Sequence, residues 1–179
     1  KKLKTMNDKK LNDLLEIKND NQRKNNIKKL TTMLKKIGAV KGDPITMIGT
    51  TFVKLGEEQQ YMNDICVVGE CSDIKEVPNR RIRCHKTEKE LLIKWAQMIR
   101  KENPQMLIGY NVFSFDWSYI IDRAEELHCK DDIMRELSIN TEEEAKVKKS
   151  TTKVASGTHD LTYIKMKGRL QLDLYNHFR

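Results

Sequence analysis

The stretch that most constrains the fold is Gln105–Leu127, QMLIGYNVFSFDWSYIIDRAEEL. It opens just after Pro104 with a short apolar run, Met106-Leu107-Ile108. Such a run suits a buried strand and is too short for a helix of its own. Gly109-Tyr110-Asn111 end it, and from Trp117 apolar residues recur at Ile120, Ile121, Ala124 and Leu127, the period of one helix face. The order is strand, tight loop, helix. Asp116 falls at the loop-to-helix junction, between Phe115 and Trp117, which are expected to limit its solvation. Ligands in α/β sheets collect beyond the carboxyl ends of strands, so a catalytic carboxylate fits this position. By spacing alone a helix N-cap or first-turn acid is the commoner role for an acid here, for structural reasons.

The residues add to the spacing. Ile108-Gly109-Tyr110-Asn111, followed by Phe115-Asp116 and Tyr119, resembles the second exonuclease motif of family B DNA polymerases, above all those of large DNA viruses and the eukaryotic delta type. Asp43-Pro44-Ile45 with Ile48-Gly49-Thr50 and Phe52 resembles the second strand of that family's exonuclease sheet. Gly168-Arg169-Leu170-Gln171-Leu172-Asp173-Leu174 resembles its strand after the second motif. The resemblance covers about residues 42–129 and 158–179. It implies an α/β, RNase H-like mixed sheet flanked by helices, as part of a 3′–5′ proofreading exonuclease. It further implies that Asp116 is a catalytic metal ligand, that Asn111 and Phe115 place the terminal nucleotide, and that Tyr110 and Tyr119 lie along the nucleic acid. The implied cofactor is Mg²⁺ or Mn²⁺, two ions in the intact parent enzyme. The implied partners are a single-stranded 3′ end of DNA and the remainder of the polymerase chain, at a nuclear or cytoplasmic viral replication site.

Two-metal hydrolysis needs several converging carboxylates, because Mg²⁺ prefers hard oxygen donors. The family draws them from an Asp-x-Glu pair on its first strand, the Asp of the second motif, and an Asp four residues after a Tyr in a third. No strand-borne Asp-x-Glu precedes Asp43, and no Tyr-x-x-x-Asp follows Asp173. The chain is therefore expected to be a piece of a larger polymerase, or a degenerate domain kept for its shape, and to be inactive by itself. The competing functions are a non-catalytic nucleic-acid-binding or scaffold module and a stand-alone exonuclease of the same fold.

The net charge of +8 is unevenly placed: residues 1–41 hold 13 Lys+Arg against 4 Asp+Glu, and the rest 21 against 22. The division expected is a basic helical insertion or linker over 1–41 and a partial exonuclease domain over 42–179. Leu11, Leu14 and Leu15, then Ile27, Leu30, Leu34 and Ile37, give two amphipathic patterns broken at Asn19-Asp20-Asn21, a helical hairpin capped by Gly38. Its basic face can track phosphates or simply be solvated. No apolar run is long enough to span a membrane. Cys66, Cys71, Cys84 and Cys129 have irregular spacing, which reads as free thiols in a reducing, intracellular compartment; a zinc site using Cys84-His85 lacks any C-x-x-C pair.

The remaining elements follow from pattern. Strands are expected over about 44–54 and 61–70, paired as a hairpin, with 105–110 inside the sheet. Residues 71–86 read as a polar connection bearing Arg80, Arg81 and Arg83. Thr87 and Glu90 form a capping box for a helix over 88–102 whose buried face is Leu91, Leu92, Trp95, Ala96 and Ile99. A second helix spans 115–128, and the chain from 130 to 150 reads as a helical or mobile connection. Residues 161–174 give two strand-like runs around Lys167-Gly168, where Lys-Gly-Arg reads as a hairpin or a bulge, with Asp173 capping a helix begun at Tyr175.

Overall fold

The computed structural model describes residues 42–139, 142–154 and 157–178, together with 22, 24, 25, 27 and 28, which are helical. The chain divides into two compact units, Lys1–Lys41 and Gly42–Arg179. The hairpin break at Asn19-Asp20-Asn21 and the Gly38 cap lie outside the described residues. The second unit is a mixed α/β structure of small sheets and helices.

Its strands are β1 (Met47–Phe52), β2 (Met62–Val68), β3 (Arg80–His85), β4 (Met106–Gly109), β5 (Lys146–Val154), β6 (Gly157–Lys165) and β7 (Leu170–Asp173). Its helices are α1 (Glu88–Glu102), α2 (Asp116–Glu126), α3 (Lys130–Leu137) and a single turn, α4 (Leu174–His177). β1 and β2 form the expected antiparallel hairpin, from Met47↔Val67 to Phe52↔Met62. β3 then pairs parallel to β2, β4 pairs parallel to β7, and β5 pairs antiparallel to β6.

The single sheet expected from the sequence is thus divided. Among the described residues β1 has β2 as its one strand partner and β4 has β7, so 105–110 is an edge strand rather than an interior one. The edges of β1 and β4 line a common cavity of about 460 Å³ instead of bonding to each other. Two further expectations are corrected. Residues 80–85 are a strand, not a polar connection. The runs on either side of Lys167-Gly168 do not pair with each other, because β6 is held by β5 and β7 by β4.

The arginines of β3 are accommodated because Asp64 on the neighbouring strand is fully buried beneath them. Arg81 Nε donates to its Oδ1 at 2.7 Å, and Arg83 Nη2 to its Oδ2 at 2.6 Å. Burial alone would raise the Asp64 pKa, but these hydrogen bonds hold the carboxyl below its ordinary value. Burial, together with the Asp64 charge, pushes the neighbouring Cys66 thiol up to about 12. All four cysteines are free.

α1 starts as its capping residues dictate: Thr87 Oγ1 accepts from Glu90 N–H at 3.2 Å. Its expected face is the core, with Leu91, Leu92, Trp95, Ala96 and Ile99 all buried. α2 adds Trp117, Ile121 and Ala124, and the Trp95 and Trp117 rings meet at 6.1 Å. The two helices are joined by a buried ion pair. Arg123 Nε donates to Glu88 Oε1 at 2.7 Å and Nη2 to Oε2 at 2.5 Å, a bidentate geometry. The same groups hold the chain entering β1, since Ile45 N–H donates to Glu88 Oε1 at 2.8 Å and Arg123 Nη1 to the Gly42 carbonyl at 2.9 Å.

Removing one partner of a buried pair strands the other charge, so Arg123→Met is expected to destabilise the fold by about 3–5 kcal/mol, and Glu88→Gln/Arg123→Met by less than Arg123→Met alone. The pair also sets an acid limb. The Arg123 hydrogen bonds hold the Glu88 pKa below its ordinary value. Its contribution is therefore complete above the unfolded-state pKa of about 4.3 and is lost as pH falls through the lower folded-state value. Thermal midpoints followed from neutrality into acid should fall more steeply for the parent sequence than for Glu88→Gln.

Candidate active site at the end of β4

The loop after β4 is shaped by three features of its own sequence. Gly109 is required by packing: a Cβ there would lie 2.2 Å from Val112 Cγ1. Asn111 takes the left-handed conformation, φ 58°, which Asn tolerates better than most residues. Its carbonyl then accepts from the Ser114 and Phe115 N–H groups, each at 3.2 Å, while Val112 O accepts from Trp117 N–H at 3.0 Å. These turns launch α2 with Asp116 as its first residue.

Asp116 is exposed, and it makes neither a hydrogen bond nor an ion pair among the described residues. The capping position belongs to Phe115, whose side chain cannot cap, so Asp116 is the first-turn acid of α2 and not its N-cap. The flanking aromatics do not bury it either: Trp117 turns into the core at 6% exposure, while Phe115 is 66% exposed. What remains is a free carboxylate in the first turn of a helix, at the carboxyl end of the β4–β7 pair.

Asp116 also borders two adjoining cavities. The first, about 460 Å³, is lined by Ile48–Val53 of the β1 region, Met106–Ile108 of β4, and the ring faces of Trp95 and Trp117. The second, about 580 Å³, runs along Pro44–Gly49 and is closed by Phe115, Asp116, Ser118 and Tyr119. Both share Ile48, Gly49, Asp116 and Ile120. Asp116 thus stands on the wall of both cavities beside β1.

The other residues read from the motif divide into two groups. Phe115 and Tyr119 line the second cavity with Asp116, and the Tyr119 hydroxyl donates to the Asp43 carbonyl at 2.6 Å. Asn111 and Tyr110 line neither cavity. Tyr110 is 68% exposed and meets Tyr175 edge-on, ring centroids 5.6 Å apart. The Asn111 side-chain oxygen is buried and has no hydrogen-bond partner among the described residues.

Sequence reasoning gave Asp173 only a capping role. It does cap α4, its Oδ1 accepting from Tyr175 N–H at 3.1 Å. It also accepts from Asn111 N–H through Oδ1 at 2.7 Å and from Phe113 N–H through Oδ2 at 3.0 Å. The pattern that could have revealed this is the parallel register, which sets Asp173 opposite Gly109.

Residues 10–179 match the exonuclease domain of family B DNA polymerases. The chain belongs to this family. The match extends into the segment before residue 42, which the sequence resemblance left out. The chain is 32% identical over 135 residues to a DNA polymerase of Pyramimonas orientalis virus, covering 75% of this chain and 11% of that protein. It is 30% identical over 160 residues to a DNA polymerase of Phaeocystis pouchetii virus, covering 78% and 15%. It is 30% identical over 132 residues to the DNA polymerase delta catalytic subunit of Candida albicans, covering 74% and 12%. The chain therefore spans a small fraction of the length of these relatives.

The fit of divalent metals can be judged from the donors present. No group of three or more His, Cys, Asp or Glu side chains among the described residues is placed to hold a metal ion. Asp116 alone is one hard-oxygen donor, too few for Mg²⁺, which uses carboxylates together with substrate oxygens. The described residues do not by themselves make a metal centre.

The loop geometry is testable through Gly109. Gly109→Ala forces Val112 aside and is expected to cost about 1–3 kcal/mol. Gly109→Ala/Val112→Ala removes the clashing methyl groups, and a double-mutant cycle by chemical denaturation should show a favourable coupling between the two substitutions.

Proposed function

We propose that the chain contributes Asp116 as one metal-ligating carboxylate to the 3′–5′ proofreading exonuclease of a family B DNA polymerase. The observation that carries this reading is the free carboxylate of Asp116 beside the cavity between β1 and β4. Both strands leave an edge unpaired there, and a strand needs such edges to enter a sheet. A further strand of the parent polypeptide, laid between β1 and β4, joins the β1–β2–β3 and β4–β7 sheets into one mixed sheet of RNase H type. Its side chains then run past Asp116, which is where the family's Asp-x-Glu pair has to stand for carboxylates to converge. Divalent ions, which Asp116 would hold together with carboxylates of that further strand, would supply the activated water and the stabilisation of the leaving 3′ oxygen.

The substrate reading rests on the surface around the loop. Phe115 and Tyr110 are large, exposed aromatics on either side of Asn111, suited to stacking against an unpaired terminal base. The hydrogen bond of Asn111 to the terminal nucleotide rests on the motif resemblance. The β5–β6 ribbon adjoins the loop, with Thr162 N–H donating to the Phe113 carbonyl at 2.7 Å and the Tyr163 ring 6.1 Å from that of Phe113. Lys146, Lys148 and Lys165 share the ribbon face of Tyr163, and all three are exposed, as phosphate contacts require. Residues 1–41, with their basic excess, are proposed as a basic helical insertion or linker.

In the full-length parent, Asp116→Ala should lower 3′–5′ degradation of a mismatched primer by about two to three orders of magnitude, the usual loss for one group stabilising the transition state. Nucleotide incorporation should be unchanged. Proofreading at the parent rate in that variant would sink the assignment. The isolated chain, with one free carboxylate at the site, is expected to degrade no DNA.

A further inference from the structure

Resting on the proofreading reading above, we propose that Asp173 is a positioning residue for the exonuclease reaction: its carboxylate clamps the loop that presents Asn111, Phe115 and Asp116. Asp173 is 3% exposed, and no lysine or arginine among the described residues pairs with it. A carboxylate is costly to bury unless its oxygens are satisfied. Here the compensation comes from three backbone N–H groups, those of Asn111, Phe113 and Tyr175.

Capping explains one of the three. α4 is a single turn of four residues, and the Tyr175 bond alone serves it. The other two bonds reach back 62 and 60 residues in sequence, to the loop after β4. They hold the backbone at the two ends of a three-residue segment. Its first residue, Asn111, is in the left-handed conformation. That residue's carbonyl receives the N–H of Phe115, and the carbonyl of Val112, between the two anchors, receives that of Trp117. Fixing Asn111 and Phe113 therefore fixes where α2 begins, and with it the carboxylate of Asp116. Both Asp173 oxygens are occupied by N–H donors, so Asp173 acts through the loop backbone and not as a ligand of the reacting atoms.

Parallel pairing makes this arrangement possible. β4 and β7 end together, Gly109 opposite Asp173, so the acid at the end of one strand meets the amides of the loop leaving the other. Asn in its place offers one acceptor oxygen and sets an NH₂ group against the remaining amide; Ala offers none.

The test uses the full-length parent enzyme and its Asp173→Asn and Asp173→Ala variants. Hydrogen exchange is followed by mass spectrometry on peptides covering 109–117, alongside single-turnover and steady-state degradation of a single-stranded oligonucleotide. In the unsubstituted enzyme the Asn111 and Phe113 amides should exchange slowly although they lie outside helix and strand. In Asp173→Asn their exchange should quicken by at least about tenfold, as loss of a charge-assisted bond implies. The degradation kcat should fall by about a hundredfold, the scale of a small misplacement of reacting groups. KM for the oligonucleotide and the rate of nucleotide incorporation should stay within about twofold, and Asp173→Ala should be the more impaired of the two. Fast exchange in the unsubstituted enzyme overturns the clamp, whether or not the variants fold. Faster exchange with unchanged kcat, or a raised KM with unchanged kcat, overturns the positioning role. A parent that degrades no 3′ end overturns the proofreading assignment itself and, with it, the catalytic part of this inference, before any variant is made.

Discussion

The buried Glu88–Arg123 pair is the interaction on which the placement of the site depends. It joins the first residue of α1 to the last turns of α2, and through Ile45 and Gly42 it ties both helices to the chain entering β1. Apolar packing between Trp95 and Trp117 brings the helices together, but packing is non-directional and fixes no register. The bidentate fork does, because two parallel N–H···O bonds allow one orientation of the guanidinium. The N-terminus of α2 is then pinned a second time by the Tyr119 hydroxyl on the Asp43 carbonyl. β1 and Asp116 are thus held beside each other by polar contacts with α2, with no direct strand pairing between β1 and β4.

That arrangement sets the rigid parts of the molecule around an opening. Long, unpaired strand edges are a liability in an isolated domain, since each offers a row of backbone donors and acceptors to any passing chain. Here two such edges share the walls of one cavity, together with apolar side chains from β1, β4 and the two helices. The further strand proposed above would fill this opening and bring partners to the carboxylate at its rim. Among the described residues the unpaired edges and the free carboxylate meet at the same place, which is what supports that proposal.

What was legible in the sequence was local. The helix over 88–102 and its core face followed from the 3.6-residue period and a Thr-x-x-Glu cap, and the β1–β2 hairpin from two β-branched runs about a turn. β3 was hidden because Arg80-Arg81-Ile82-Arg83 looks like solvent-facing charge; only the neighbouring strand shows that Asp64 neutralises two of those arginines from beneath. The pairing of β7 with β4 was misread for a similar reason. Lys167-Gly168 has the chemistry of a hairpin turn, and Gly168 does take positive φ, but the strands on either side find better partners elsewhere. Asp116 was correctly placed at the start of a helix, yet its freedom from any cap bond depends on the loop geometry. The role of Asp173 depends on a parallel register that no window of sequence contains.

Charge shows the same distinction between inventory and arrangement. Counted along the chain, Arg80, Arg81 and Arg83 make a dense basic cluster in the second unit and invite a nucleic-acid reading. In the fold, Arg80 is tied to Asp73 by two hydrogen bonds, Arg81 to Asp64 and Glu102, and Arg83 to Asp64. Guanidinium groups engaged in this way tie two strands, the loop between them and a helix end together and have little net field to offer a phosphate. Lys146 and Lys148 of β5 share one face of the β5–β6 ribbon with Lys165 of β6, and Lys146 and Lys165 are directly opposed across it. Like charges facing each other on a strand pair weaken it. A polyanion laid along that face relieves the repulsion. This charge arrangement is what supports the proposed DNA path along the side of the ribbon that adjoins the Asn111–Asp116 loop, while the arginines of β3 are engaged within the fold.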